Sequence, residues 1–245
     1  MTARFLKGGF DNFEEHEGLE YMLFYALPRV NTNDIAHRLL KKFGSLAGVL
    51  EAGEADIALV KGMGDKSAAY LTMFPDLLRA YKKSKIGRKP ALRSIKQACE
   101  FCVAMLFGKP YEEFYVMWLN TQNRVIHSEK LSEGGIKESP VYTDKVAASA
   151  LRHHAVKAII AHNHPGGNLS PSPSDLTTTQ LILNALALLN IELVDHIIVS
   201  NEQTFSFQAD SLMGKREIKQ TDAYAAEYSG VRQFVAVLAE EIGSR

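Results

Sequence analysis

Cys99 and Cys102 are the only thiols in 245 residues. That scarcity excludes a disulfide framework, and the expected compartment is a reducing cytoplasm. Charge of neither sign prevails, since Lys plus Arg and Asp plus Glu each count 28. No global basic excess favours nucleic acid, so any such contact must be a local patch. Long apolar runs are missing too: the most apolar helical stretch, 181–189, is far short of a membrane span. The first residues lack the basic region, apolar stretch and small-residue cleavage site of a signal peptide. No internal repeat or low-complexity tract occurs. What remains, 46% hydrophobic and 23% charged residues, suits a soluble globular protein with a buried core.

Residues 1–85 are predicted to form a small helical domain. Apolar residues recur at spacings of three and four over 19–26 and 33–43, with Asn33 expected as the N-cap of the second segment. Phe43-Gly44-Ser45 ends that helix and a short one follows over 46–52. Gly62-Met63-Gly64-Asp65-Lys66, between an apolar helix end and a new helix, has the helix-hairpin-helix pattern. The amides of Gly62 and Gly64, with Lys66 beside them, can hold a DNA phosphate. The same residues also read as a plain tight turn, and Asp65 puts negative charge at the would-be phosphate. The composition turns basic from Lys82, and residues 86–94, with Gly87 and Pro90, read as a solvated basic linker.

Residues 95–214 read as a second domain of α/β class. A helix is expected over 95–107; Cys99 and Cys102 sit in it beside Ala98, Phe101 and Leu106, a setting for core atoms rather than a redox pair. A strand over 111–119 and a hairpin partner over 124–128 follow. A helix over 141–154 precedes a strand ending in His164. Beyond it come a helix from Asp175 to about 190, a strand over 191–200 and a short strand over 204–207. The hairpin among alternating elements predicts a mixed sheet flanked by helices. Residues 215–245 form a C-terminal extension with an amphipathic helix over 223–242.

The chain is organised around His162-Asn163-His164-Pro165-Gly166-Gly167, after which a Ser/Pro loop leads to Asp175. On a strand of period two both imidazoles share a face. Two neutral imidazoles and one carboxylate suit zinc, and three protein ligands leave the open position of a catalytic site. A local reading stands beside this one: Ser172-x-x-Asp175 matches a capping box that needs no metal, and the histidines can be turn residues. The helix dipole favours the ionised carboxylate that a metal needs. Hydrolysis also requires a base, and Glu112-Glu113 ahead of the first strand are the paired carboxylates available, although spacing places neither near the histidines. His153 and His154 read as surface residues. His196 is either a core histidine or a hydrogen-bond partner of a ligand histidine. His127 has no partner legible in the sequence.

An upstream Glu, His162-x-His164 and, beyond a seven-residue gap, Ser172-x-x-Asp175 resemble the JAMM/MPN metallopeptidase motif. The closer resemblance is to the RadC family, in which a helix-hairpin-helix region precedes a JAMM domain. It rests on Leu40-Lys41-Lys42-Phe43-Gly44-Ser45-Leu46, Gly62-Met63-Gly64-Asp65-Lys66, Glu112-Glu113-Phe114, Leu119-Asn120, the histidine loop and Asp195-His196-Ile197-Ile198-Val199. The resemblance implies a JAMM/MPN-type mixed β-sheet domain and a zinc hydrolase acting on a protein or peptide. His162, His164 and Asp175 would be the zinc ligands, Glu112 the general base with Glu113 as fallback, and Ser172 the donor to the oxyanion. The DNA-repair name given to such proteins implies, as the alternative, contact with DNA through the helical domain, with the JAMM domain acting on nucleic acid or serving as a binding module. The family usually has Ser where Gly166 stands, and Pro-Arg-Glu where this chain has the exposed-looking Thr143-Asp144-Lys145.

Overall fold

The computed structural model describes residues 1–87, 89–133 and 140–213. They fall into two compact units, Met1–Lys82 with Gly108–Pro110, and a second that starts at Lys83 and resumes at Tyr111. The C-terminal extension and its expected helix lie outside the described residues. No helix among the described residues is long and apolar enough to cross a membrane.

The first unit is helical: α1 (Thr2–Gly8), α2 (Glu15–Ala26), α3 (Asn33–Phe43), α4 (Leu46–Glu51), α5 (Glu54–Ala58) and α6 (Asp65–Ile86), the last crossing the boundary between units. Ile35, Ala36 and Leu39 share one face of α3 and bury it against Leu19 and Leu23 of α2 and Leu71 of α6. Asn33 is not the N-cap. Thr32 holds that position without a side-chain cap. Its hydroxyl donates instead to the Glu20 carbonyl, while the Asn33 N–H goes to Asn31 Oδ1.

In the second unit α7 (Ile95–Leu106) starts at Ser94, whose Oγ accepts the Gln97 N–H. There follow β1 (Glu113–Leu119), β2 (Val125–Glu133), α8 (Pro140–Arg152), β3 (Lys157–Asn163), α9 (Pro173–Leu188), β4 (Glu192–Ser200) and β5 (Gln203–Ser206). The strands lie in the order β2-β1-β3-β4-β5. Only the β3–β4 pair is parallel among these, joined by a crossover through α9. The sheet is mixed, as its hairpin start predicts.

Both sheet faces are covered. Phe101, Cys102 and Leu106 of α7 pack on Met117, Leu119, Ile159 and Ala161, so the two cysteines belong to a core; burial raises the Cys102 thiol well above its ordinary pKa. Phe114, Val116, Trp118 and Ile160 face Val146 and Ala150 of α8 and Ile182 and Leu186 of α9. Two expectations are corrected here. The stretch read as a solvated linker is helical to Ile86, and its later part pairs beside β2: Val125 N–H donates to Pro90 O, Leu92 N–H donates to Asn123 O, and Leu92 is buried. Thr143, read as exposed, is buried as well, on the inward side of α8.

The pairing of β3 with β4 carries an irregularity. Ala158 pairs with Leu193 and Ile159 with Asp195, so Val194 is an extra residue on β4. A one-residue insertion exchanges the faces of every later side chain. It turns His196 toward the α9 face, opposite Ile160. Ile160 has no solvent exposure at the centre of that layer. Ile160→Ala should therefore cost about 2–5 kcal/mol in a denaturant titration, as expected for a filled interior position.

Candidate metal centre

His162 and His164 leave the C-terminal end of β3 on one face because a strand alternates. Phe114 pairs with His162 across the antiparallel β1–β3 ladder. Glu112, two residues ahead of Phe114, therefore falls on that face too. Asp175 arrives from the other side as the third residue of α9. One ligand atom each from Glu112, His162, His164 and Asp175 lies within 4.8 Å of all the others. Glu113 points elsewhere, its carboxylate 3.4 Å from Lys130 Nζ.

The capping box is present and does not compete with the cluster. Ser172 Oγ accepts the Asp175 N–H at 3.1 Å, and Asp175 Oδ2 accepts the Ser172 N–H at 2.7 Å. That exchange aims the carboxylate, leaving Oδ1 3.2 Å from His162 Nε2 and Oδ2 3.6 Å from His164 Nε2. Burial opposes charge on Asp175, but His162 and His164 when their Nε2 atoms are protonated, together with the Ser172 N–H, outweigh it and hold the carboxyl well below the usual carboxylate range.

The proton positions follow from counting donors. Thr179 has one hydroxyl proton, given to the Asp175 carbonyl at 2.6 Å. His196 Nδ1, 2.6 Å from the same oxygen, must then be the donor in that contact. Full burial pushes the pKa of His196 well below its ordinary value, so the ring is neutral and its Nε2 is bare. That nitrogen accepts from His162 Nδ1 at 2.8 Å, which leaves His162 Nε2 without a proton. His164 Nδ1 donates to Asn168 O at 2.6 Å, baring its Nε2 as well. The two Nε2 atoms are 2.9 Å apart.

With both rings neutral, two lone pairs and a carboxylate thus converge, a set of acceptors suited to a cation. The donor types suit a zinc-like ion, which His162, His164 and Asp175 could hold. A proton competes for the same place: hydrogen bonding to Asp175 raises the His164 pKa.

Sequence reasoning left His196 open, and the structure resolves it as the residue that orients His162. It did not reach Thr179, Asn168 or the role of Asn163. The Asn163 side chain points off the histidine face, accepts the Glu113 N–H at 2.8 Å and donates to the Tyr111 carbonyl at 2.9 Å. It therefore clamps the backbone on either side of Glu112. Asp195 does not join the site. Its carboxylate takes Ser206 Oγ–H and the Gln208 N–H. A Cβ at Gly166 would meet nothing within 4 Å, so the family's Ser would fit there.

In the first unit Gly62 adopts φ 98°, and a Cβ there would come within 2.9 Å of Ile35. The glycine is thus demanded by the turn's packing. The Gly64 N–H is taken by Ser67 Oγ at 3.0 Å, while Lys66 is exposed.

His196→Phe preserves the ring that stacks on Phe207 but removes both nitrogens. Competition against a chromogenic chelator should show zinc affinity reduced roughly 10–100-fold. In the unaltered chain the affinity should fall as pH drops below neutrality, because the raised His164 pKa lets protons compete earlier than at a free imidazole. An affinity flat from pH 8 to about pH 6 would contradict a histidine-held site.

A profile of the RadC-like JAB domain matches residues 92–212. A UPF0758 protein of Rhodobacter capsulatus is 33% identical over 213 residues, 87% of this chain and 100% of that protein. Another, of Vibrio atlanticus, is 33% identical over 204 residues, 83% of this chain and 91% of its own length. A third, of Fusobacterium nucleatum, is 31% identical over 220 residues, covering 87% and 95% of the two chains. Similarity of that extent spans both units, and the profile falls on the sheet that carries the histidine cluster. The chain belongs to the RadC family and carries its JAB domain.

Proposed function

We propose that the protein is a zinc-dependent hydrolase of the JAMM type, cleaving an amide or isopeptide bond in a protein or peptide. The observation that carries this reading is the position of Glu112, half-buried, with a carboxylate oxygen within 4.8 Å of the converging ligand atoms of His162, His164 and Asp175. When bound, zinc supplies Lewis acidity, polarising a carbonyl and lowering the pKa of water toward about 7. Glu112 accepts the proton of the attacking water on its carboxylate and later delivers it to the leaving amine. Ser172 spends only a lone pair of Oγ on the Asp175 N–H. Its hydroxyl proton is available to the developing oxyanion. Asn163 holds the Glu112 backbone, and the Thr179–His196 pair holds His162.

A nucleic-acid role for the helical unit draws less support. Asp65 opens α6 next to the hairpin glycines, and the Gly64 amide is already bonded. The Glu112→Gln variant should bind zinc as the parent does and lose about 10²-fold or more in turnover. The assay is cleavage of a peptide and isopeptide library, with activity abolished by chelator and restored by zinc. Full activity of Glu112→Gln would remove the glutamate from the mechanism.

A further inference from the structure

A second group of ligating side chains lies away from the proposed centre. His127 and Glu129 are two residues apart on β2, so they share a face. Their cross-strand neighbours on β1 are Trp118 and Val116, which place them on the α8 side of the sheet. His153 follows the end of α8 and lays its ring on His127, with centroids 3.9 Å apart and planes 16° apart. A ring nitrogen from each histidine and a carboxylate oxygen of Glu129 lie within 4.8 Å of one another.

The arrangement is braced from beneath. Trp118, fully buried, directs its indole N–H to Ser149 Oγ at 2.8 Å and to Glu129 Oε1 at 3.3 Å. One donor thereby ties the strand that carries Glu129 to the helix that carries Ser149. His153 follows Ser149 by one turn, its N–H on the Ser149 carbonyl. Strand and helix are held where the two rings must meet. Two imidazoles and one carboxylate at a partly exposed place form a chelating set with positions left for water.

We propose that His127, Glu129 and His153 form a second divalent-metal site, of zinc-like preference and separate from the centre at His162. Occupancy would fasten the edge strand β2 to the end of α8 through bonds that neither element makes alone.

The test is metal stoichiometry of the full, untagged chain, stripped of metal and titrated with Zn²⁺ by calorimetry and with Co²⁺ by absorption. The parent should bind two equivalents. The variant carrying His162→Ala and His164→Ala should bind one, and the variant carrying His127→Ala and His153→Ala should also bind one. Combining all four substitutions should abolish binding. A parental stoichiometry that the His127→Ala and His153→Ala substitutions leave unchanged, whether one equivalent or two, would overturn the proposal. Glu129→Gln, which leaves both imidazoles in place, should weaken the second equivalent alone; an unchanged second affinity would exclude the carboxylate. Failure at the His162 centre would appear separately, as loss of the equivalent that survives the His127/His153 substitutions.

Discussion

The Nε2 atoms of His162 and His164 and the carboxylate of Asp175 stand 2.9 to 3.6 Å apart where His162 and Asp175 are almost without solvent contact. Lone pairs at that separation repel, and a low-dielectric surrounding screens the repulsion poorly. A positive charge between them, metal ion or proton, relieves that repulsion. The Nδ1 protons of both rings are committed elsewhere: His164 gives its own to Asn168, and His162 gives its own to His196. His196 in turn is fixed by Thr179, whose hydroxyl is spent on the backbone of α9. The affinity for a positive charge is thus built into the hydrogen bonding of β3, β4 and α9.

Economy of this kind recurs around the centre. The Ser172–Asp175 exchange closes the start of α9 and at the same time sets the carboxylate toward the histidines. A helix terminus has amide groups to satisfy in any event, and its dipole favours the negative charge a ligand must carry. Asn163, facing away from the two histidines beside it, replaces ladder bonds at the head of β1 and so positions Glu112. The capping box therefore does not exclude a metal-facing role for the same residues. The His127–Glu129–His153 group differs in environment, being more exposed and leaning on Trp118 for its geometry. Less desolvation attends charge there, and water can serve as the remaining ligand.

Much of the architecture was legible in the sequence because it follows from local chain geometry. The spacing of Ile35, Leu39 and their neighbours announces α3, and the aromatic and β-preferring residues from Phe114 to Leu119 announce a strand. Errors arose where side chains chose partners outside their own segment. Thr32 turned its hydroxyl to Glu20 rather than capping α3, and the basic stretch near Pro90 paired beside β2 because Leu92 could be buried there. The choice between Glu112 and Glu113 also depends on pairing. Antiparallel register with β3 sends the first to the histidines and the second to Lys130.

By itself the sequence determined that His162 and His164 share a face and that Ser172 and Asp175 close a helix start, since the strand period and the capping geometry are properties of a few consecutive residues. It also determined the family, through motifs that lie in order along the chain. Only the tertiary structure decided that His196 would meet His162, because an extra residue, Val194, reverses the face of β4. The stacking of His127 on His153 was decided in the same way, by the docking of α8 on Trp118. Contacts between residues far apart in the chain are set by register and packing, and neither is encoded in any short stretch.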